Sequence, residues 1–212
     1  MSLLSEYRTE CRRLLHDANG NFWTDAELNT YINDGRKKLA ADTKCLRALV
    51  TVSLPTNQET YTITGSIPTY GARAIDILNI TVIWGQTRIP LLQMSWTEFN
   101  AKMRAWVTNQ SRPAAMSRYG TSPGTIYIQP IPDQTYSSEW DICYVPVDLV
   151  DDTTVDELSY PFTTPVAYYA CSKAKEKEQS YGESEQFLKQ YKDKAVEAIN
   201  QVYTRLMPNP YN

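Results

Sequence analysis

The apolar residues of this chain change their spacing twice, and that pattern limits the fold more than any other feature of its 212 residues. Leu3, Leu4, Tyr7, Cys11, Leu14 and Leu15 recur at steps of three and four, which makes one stripe of a helix. Asp17-Ala18-Asn19-Gly20-Asn21 reads as a turn, because Asn and Gly tolerate positive φ. Thr24-Asp25-Ala26-Glu27 then has the spacing of a capping box, with Phe22 or Trp23 placed to staple against Leu28. Leu28, Tyr31, Ile32, Gly35 and Leu39 give the second helix its buried stripe.

From about Leu46 the spacing falls to two, the signature of strands. Ala48–Leu54 and Thr60–Thr64 predict a hairpin across Pro55–Gln58, and Ile75–Trp84 turns at Gly85–Thr87 to pair with Arg88–Leu92. A helix opening at Ser95-Trp96-Thr97-Glu98 runs to about Val107. Strands follow at Ala114–Tyr119, Thr125–Gln129 and Tyr136–Val145. The helical spacing then returns. One helix begins between Pro161 and Pro165 and ends near Ser180, Tyr181–Ser184 breaks the chain, and a last helix covers Glu185–Leu206. Pro208-Asn209-Pro210-Tyr211-Asn212 reads as an extended tail.

Four amphipathic helices at the two ends need cover, because isolated helices of this length are marginal in water. The economical arrangement is an α+β fold: residues 1–45 and 161–207 as one helical bundle, with an antiparallel, sandwich-like β domain carrying one helix (46–160) inserted between its halves.

Composition excludes several classes of function. No apolar run approaches the ~18 residues of a membrane span, and the first residues lack the basic start and apolar stretch of a secretory signal. A net charge of −3, with no basic segment standing out, argues against a protein built to grip nucleic acid. A single histidine, His16, rules out sites that need two from one chain. Cys11, Cys45, Cys143 and Cys171 lie far apart without zinc-site spacing and read as reduced, half-buried thiols. Fifteen tyrosines suit surfaces that are apolar on one side and wet on the other, or strands that simply favour tyrosine.

Catalytic constellations are weak. His16 beside Asp17 has no nucleophile motif with it and reads as a helix-terminal histidine. Glu6/Glu10 and Glu139/Asp141 each place two carboxylates on one face, as glycoside hydrolysis requires, but any chain with 24 acids offers such pairs. No glycine loop for phosphate is present. Asp148, Asp151, Asp152, Asp156 and Glu157 lack the glycine of a calcium loop and read as a solvated acidic linker. Lys173–Glu178 alternates its charges and reads as an exposed helix face. No catalytic, cofactor or metal residue is therefore expected.

Three blocks, in order, resemble the head-to-tail adaptor (connector) proteins of tailed bacteriophages, including the tail tubular A type of short-tailed phages. The first is Phe22-Trp23-Thr24-Asp25-Ala26-Glu27-Leu28-Asn29-Thr30-Tyr31-Ile32-Asn33, with Leu39 beyond it. The second runs from Pro113 through Ser117–Gly120 to Ile126-Tyr127-Ile128-Gln129-Pro130-Ile131-Pro132-Asp133, then Tyr136, Trp140–Tyr144 and Leu149–Asp152. The third is Tyr160-Pro161 before the helix with Ala167, Tyr168 and Ala170. Residues 56–71 and the helix at Ser95–Val107 match no named pattern. The resemblance implies a homo-oligomeric ring, commonly dodecameric, in the neck of the virion and assembled in the host cytoplasm. Such a ring docks under the portal protein, leads to a downstream tail or nozzle protein, in some cases carries tail fibres, and lets double-stranded DNA pass unread. It also implies a portal contact from Leu206, Met207, Pro208, Asn209, Pro210, Tyr211 and Asn212, and an acidic channel wall from Asp148, Asp151, Asp152, Asp156 and Glu157. The alternatives are a tail-associated peptidoglycan hydrolase, using one of the carboxylate pairs, or a tail-fibre adaptor.

Overall fold

The computed structural model describes residues 3–105, 109–120 and 124–203. In chain order its elements are α1 (Leu4–Leu15), α2 (Asp25–Thr43), β1 (Arg47–Leu54), β2 (Thr60–Thr62), α3 (Ile63–Ser66), β3 (Ala74–Trp84), β4 (Thr87–Pro90), β5 (Leu92–Gln93), α4 (Trp96–Lys102), β6 (Ala115–Tyr119), β7 (Thr125–Gln129), β8 (Tyr136–Tyr144), α5 (Thr164–Lys177) and α6 (Tyr181–Tyr203). The class is α+β, with helices at both ends and antiparallel sheets between them. Two compact units result: residues up to Leu46 with those from Val145 onward, and Arg47–Tyr144. Residues 145–160, which the spacing pattern places in the β domain, belong to the helical unit.

In the helical unit α5 is the central element, packed by α1, α2 and α6. Its inward residues are small: Ala167, Ala170, Cys171 and Ala174 are all buried, so neighbouring helices approach closely. Gly35 on α2 shows how closely. A Cβ there would sit 3.2 Å from the carbonyl oxygen of Val166 and 3.1 Å from the Tyr169 ring. Leu4, Tyr7, Cys11 and Leu15 from α1, Leu28, Ile32 and Leu39 from α2, and Tyr191, Ala195 and Ala198 from α6 complete the core. The capping box forms as spaced: Thr24 Oγ1 accepts the Glu27 amide at 3.3 Å, and Glu27 accepts the Thr24 amide at 3.4 Å. Trp23 is buried and Phe22 is not. The break before α6 is shifted. Gln179, at φ 63°, turns the chain after α5, and Tyr181–Ser184 is the first turn of α6, since Gly182 is tolerated near a helix start. Of the four cysteines, Cys11, Cys143 and Cys171 are fully buried rather than half-buried.

In the β unit the strands form two four-stranded sheets, ordered β1-β8-β3-β4 and β2-β7-β6-β5. Pairing is antiparallel except for the short parallel contact of β5 with β6. Between the sheets lie Val52, Leu54, Tyr61, Ile77, Ile80, Val82, Ile126, Ile128, Trp140 and Ile142. Trp140, opposite Val50 on one side and Ile80 on the other, meets Tyr61 edge-on at 6.2 Å. Its Nε1–H is satisfied by Ser138 Oγ at 2.9 Å, and that hydroxyl donates to the Val52 carbonyl at 2.7 Å.

The expected β1–β2 hairpin does not form: β1 pairs with β8 and β2 with β7. Alternation tells which side chains face inward, and both strands do face one core, but from opposite sheets. The β3–β4 hairpin forms on Gly85, at φ 60°. The middle helix is shorter than expected, Trp96–Lys102, capped by Ser95; residues 106–108 lie outside the described residues.

Candidate functional site

The acidic run is not one solvated linker. Asp156 is buried against α1 and α2, where its carboxylate accepts the Tyr7 hydroxyl at 2.7 Å, Arg36 Nε at 3.0 Å, Arg36 Nη2 at 2.5 Å and the Leu158 amide at 3.0 Å. Arg36 is buried too, and its Nη1 donates to the Val147 carbonyl and to Asn33 Oδ1, each at 2.8 Å. Every one of these partners reduces the cost of burying the charges, which unpaired would be several kcal/mol. Asp156 is therefore withdrawn from any channel wall. Asp148 faces Lys37 at 2.7 Å and Asp152 pairs with Arg8, whereas Asp151 is exposed.

Asn33 extends the same network. Its amide donates to the Leu149 carbonyl at 3.1 Å while its oxygen accepts the Leu149 amide at 2.9 Å. The Leu149 side chain is buried, so the next residue is held outward: Val150 is 78% exposed. Val147, Val155 and Tyr160 of the same segment are exposed as well. Anchored at Leu149, the chain makes a ridge at Val150–Asp151.

A second apolar side chain is displayed by construction. Asp17 turns inward and accepts the amides of Asn21, Phe22 and Trp23 at 2.9, 3.3 and 3.1 Å. Burial pushes its carboxyl up, but these three bonds and Arg12 outweigh that and hold it below the ordinary aspartate range. Arg12 also donates to the Trp23 carbonyl at 3.1 Å and pairs with Asp25 at 2.6 Å. The loop so fixed leaves Phe22 81% exposed.

On the β unit, Trp96, Tyr119 and Tyr127 gather on one face, with ring centroids 4.6–6.3 Å apart. The Arg104 guanidinium lies over Trp96 and Tyr127 at 5.4 and 5.2 Å and is oriented by Glu59 at 2.6 Å. Trp, Tyr and Arg are the residue types that dominate protein interfaces. On the helical unit, Gly182, Glu185, Gln186, Leu188, Lys189 and Lys192 line an open cleft of about 590 Å³ on α6.

The carboxylate pairs are not assembled for acid–base work. Glu6 caps the Leu3 amide at 3.0 Å, and Glu10 pairs with Arg13 at 2.6 Å. Glu139 accepts Arg88 at 2.9 and 3.1 Å, and Asp141 is paired with Arg47. Arg88 holds Glu139 below the usual carboxylate range, the reverse of what a general acid needs. His16, exposed at φ 56°, ends α1, and Asp17 is turned to the loop rather than to the imidazole. Among the described residues no group of three His, Cys, Asp or Glu side chains is placed to hold a metal ion, and no helix is long and apolar enough to cross a membrane. The portal-contact residues Leu206–Asn212 lie outside the described residues.

Sequence reasoning missed the network of Tyr7, Asn33, Arg36 and Asp156. One signal was available: Asn33 and Arg36 sit beside the apolar stripe of α2, where solvated polar residues are not expected. The model of the SU10 adaptor protein family matches residues 2–210 of the chain. No curated protein matches it.

Proposed function

The chain belongs to the SU10 adaptor protein family, a family of phage head-to-tail adaptors, and from that premise we propose that it forms a ring in the neck of the virion, docked under the portal and leading into the tail. The observation that carries the reading is the extent of the family match, which covers both units and not one of them. Several separate surfaces support it. A ring subunit needs two lateral faces and two axial ones, and exposed apolar groups stand on the Phe22 loop, the Val150 ridge, α6 and the outer face at Trp96.

In this reading the protein acts by assembly. DNA passes through the ring without sequence readout, favoured by a net charge of −3 that offers phosphates little to hold. The acidic run contributes less to that wall than its composition suggests, because Asp156 is buried and Asp148 and Asp152 face cations. In this reading the axial contact with the portal falls to Leu206–Asn212, a stretch whose sequence offers Pro208, Pro210 and the aromatic Tyr211.

Deleting residues 208–212 tests the axial contact. The truncated protein is expected to lose binding to purified portal rings, and particles made with it to lose their DNA. Unchanged affinity and full particles would place the contact elsewhere.

A further inference from the structure

We propose that Cys11 and Cys171 are a latent disulfide: a thiol pair that stays reduced in a reducing compartment and closes into a covalent staple between α1 and α5 in an oxidising medium. The two residues are 160 positions apart in sequence, and both are fully buried. The Cys171 thiol donates to the Cys11 carbonyl at 3.7 Å, and the Cys11 thiol donates to the Ala167 carbonyl at 3.8 Å. In an α-helix the carbonyl of residue 167 is aimed at the amide of residue 171. Each sulfur therefore lies against the backbone of the opposite cysteine, and the two thiols touch each other as well. A disulfide needs that closeness, since cysteines whose Cα atoms lie more than about 7 Å apart cannot be bridged without moving the backbone. Small neighbours on α5 allow the approach: Ala167, Ala170 and Ala174 are buried around Cys171. The other two cysteines stand elsewhere, Cys45 beside Thr43 after α2 and Cys143 on β8.

Contact with the Cys11 thiol, together with burial, raises the Cys171 thiol above the ordinary cysteine range. The thiolate is the reactive form, so the closed fold keeps Cys171 inert. Local opening of the α1–α5 interface exposes both sulfurs at once, because they share that interface. The oxidant is a small-molecule disulfide. One cysteine thiolate attacks it, forms a mixed disulfide and releases one small thiol. The second cysteine gives its proton to solvent, attacks the protein-bound sulfur and releases the other small thiol. Two protein thiols become one disulfide, and one small disulfide becomes two thiols. The bond closes a loop that contains α2 and every strand, so it stabilises by restricting the unfolded chain.

The test uses full-length, folded, reduced protein incubated with oxidised glutathione at about pH 8, then denatured and labelled with a maleimide. Free thiols are expected to fall from four per chain to two. Peptide mapping should find the Cys11 and Cys171 segments joined. The thermal midpoint, followed by far-UV circular dichroism, should rise by roughly 5–10 °C and return when dithiothreitol is added. Cys171→Ala, checked for folding in the same way, should form no internal disulfide. Wild type carries the deciding readout, so a variant that fails to fold leaves the test intact. Four thiols retained, glutathione adducts without a protein disulfide, or a bond to Cys45 or Cys143 overturns the pairing. A Cys11–Cys171 bond that leaves the midpoint unchanged or lowers it overturns the staple.

Discussion

Asp156 shows how little a residue's composition says about its environment. It stands among Asp148, Asp151, Asp152 and Glu157, yet its carboxylate is the most enclosed charge of the stretch because Arg36, 120 residues earlier, reaches it with two nitrogens. Removing one partner of such a pair leaves the other charge buried and unpaired. Arg36→Met, with Asp156 left in place, should therefore destabilise the protein by about 3–5 kcal/mol. Tyr7→Phe should cost nearer ~1 kcal/mol, because Asp156 keeps its other donors. Urea denaturation of the two variants checks the order. Equal, small losses would mean that Asp156 is solvated after all. Other carboxylates set the acid limit. Arg12 lowers Asp25, Lys177 lowers Glu27 and Arg88 lowers Glu139. A carboxyl lowered in the folded state stabilises above its unfolded value of about 4 and loses that contribution as pH falls through the folded value. Lys173, Lys175, Lys177 and Lys194 are raised by their glutamate partners, so their contribution is present below about 10.5 and lost as pH rises beyond it. Thermal unfolding followed between pH 3 and 11 should show a plateau from about pH 5 to about 10, falling on both sides.

At the scale of elements, local signals were legible and distant ones were not. The Thr24–Glu27 capping box reads directly from sequence because its donors and acceptors are three residues apart. Thr24→Ala should cost about 1 kcal/mol, measurable by denaturant midpoint. The stripes of α1 and α2 were legible for the same reason, since periodicity is a local property. Pairing of β1 with β8 was not. It joins Arg47 to Cys143, and alternation at Ala48–Leu54 fits a neighbour of any origin. The sequence order of β1 and β2 suggested a hairpin, whereas the core needed one strand in each sheet. Gly35 belongs between these cases: its place on the buried stripe was legible, its reason was not. With Val166 and Tyr169 so near, Gly35→Val should push α2 from α5 and cost about 1–3 kcal/mol, the range of overpacked cores. A thermal shift of a few degrees or more is expected, and none would mean that α2 has room to move. Of the candidate site, the ridge was visible only as an acidic run, because the exposure of Val150 depends on Asn33 holding Leu149.

For the whole molecule, the family match and the layout of the two units bear on one claim: that many copies act together. Among the described residues the carboxylate pairs are each taken up by a cation or a backbone amide, while exposed apolar side chains recur at Phe22, Val150 and the α6 face. In the proposed ring, closure multiplies what one contact contributes. The most direct measurement is an image. Purified protein mixed with purified portal rings, viewed by negative-stain electron microscopy and averaged end-on, should show a second ring of many equivalent copies stacked on the portal. Portal rings with no added layer, or with one or two copies attached, would contradict the account.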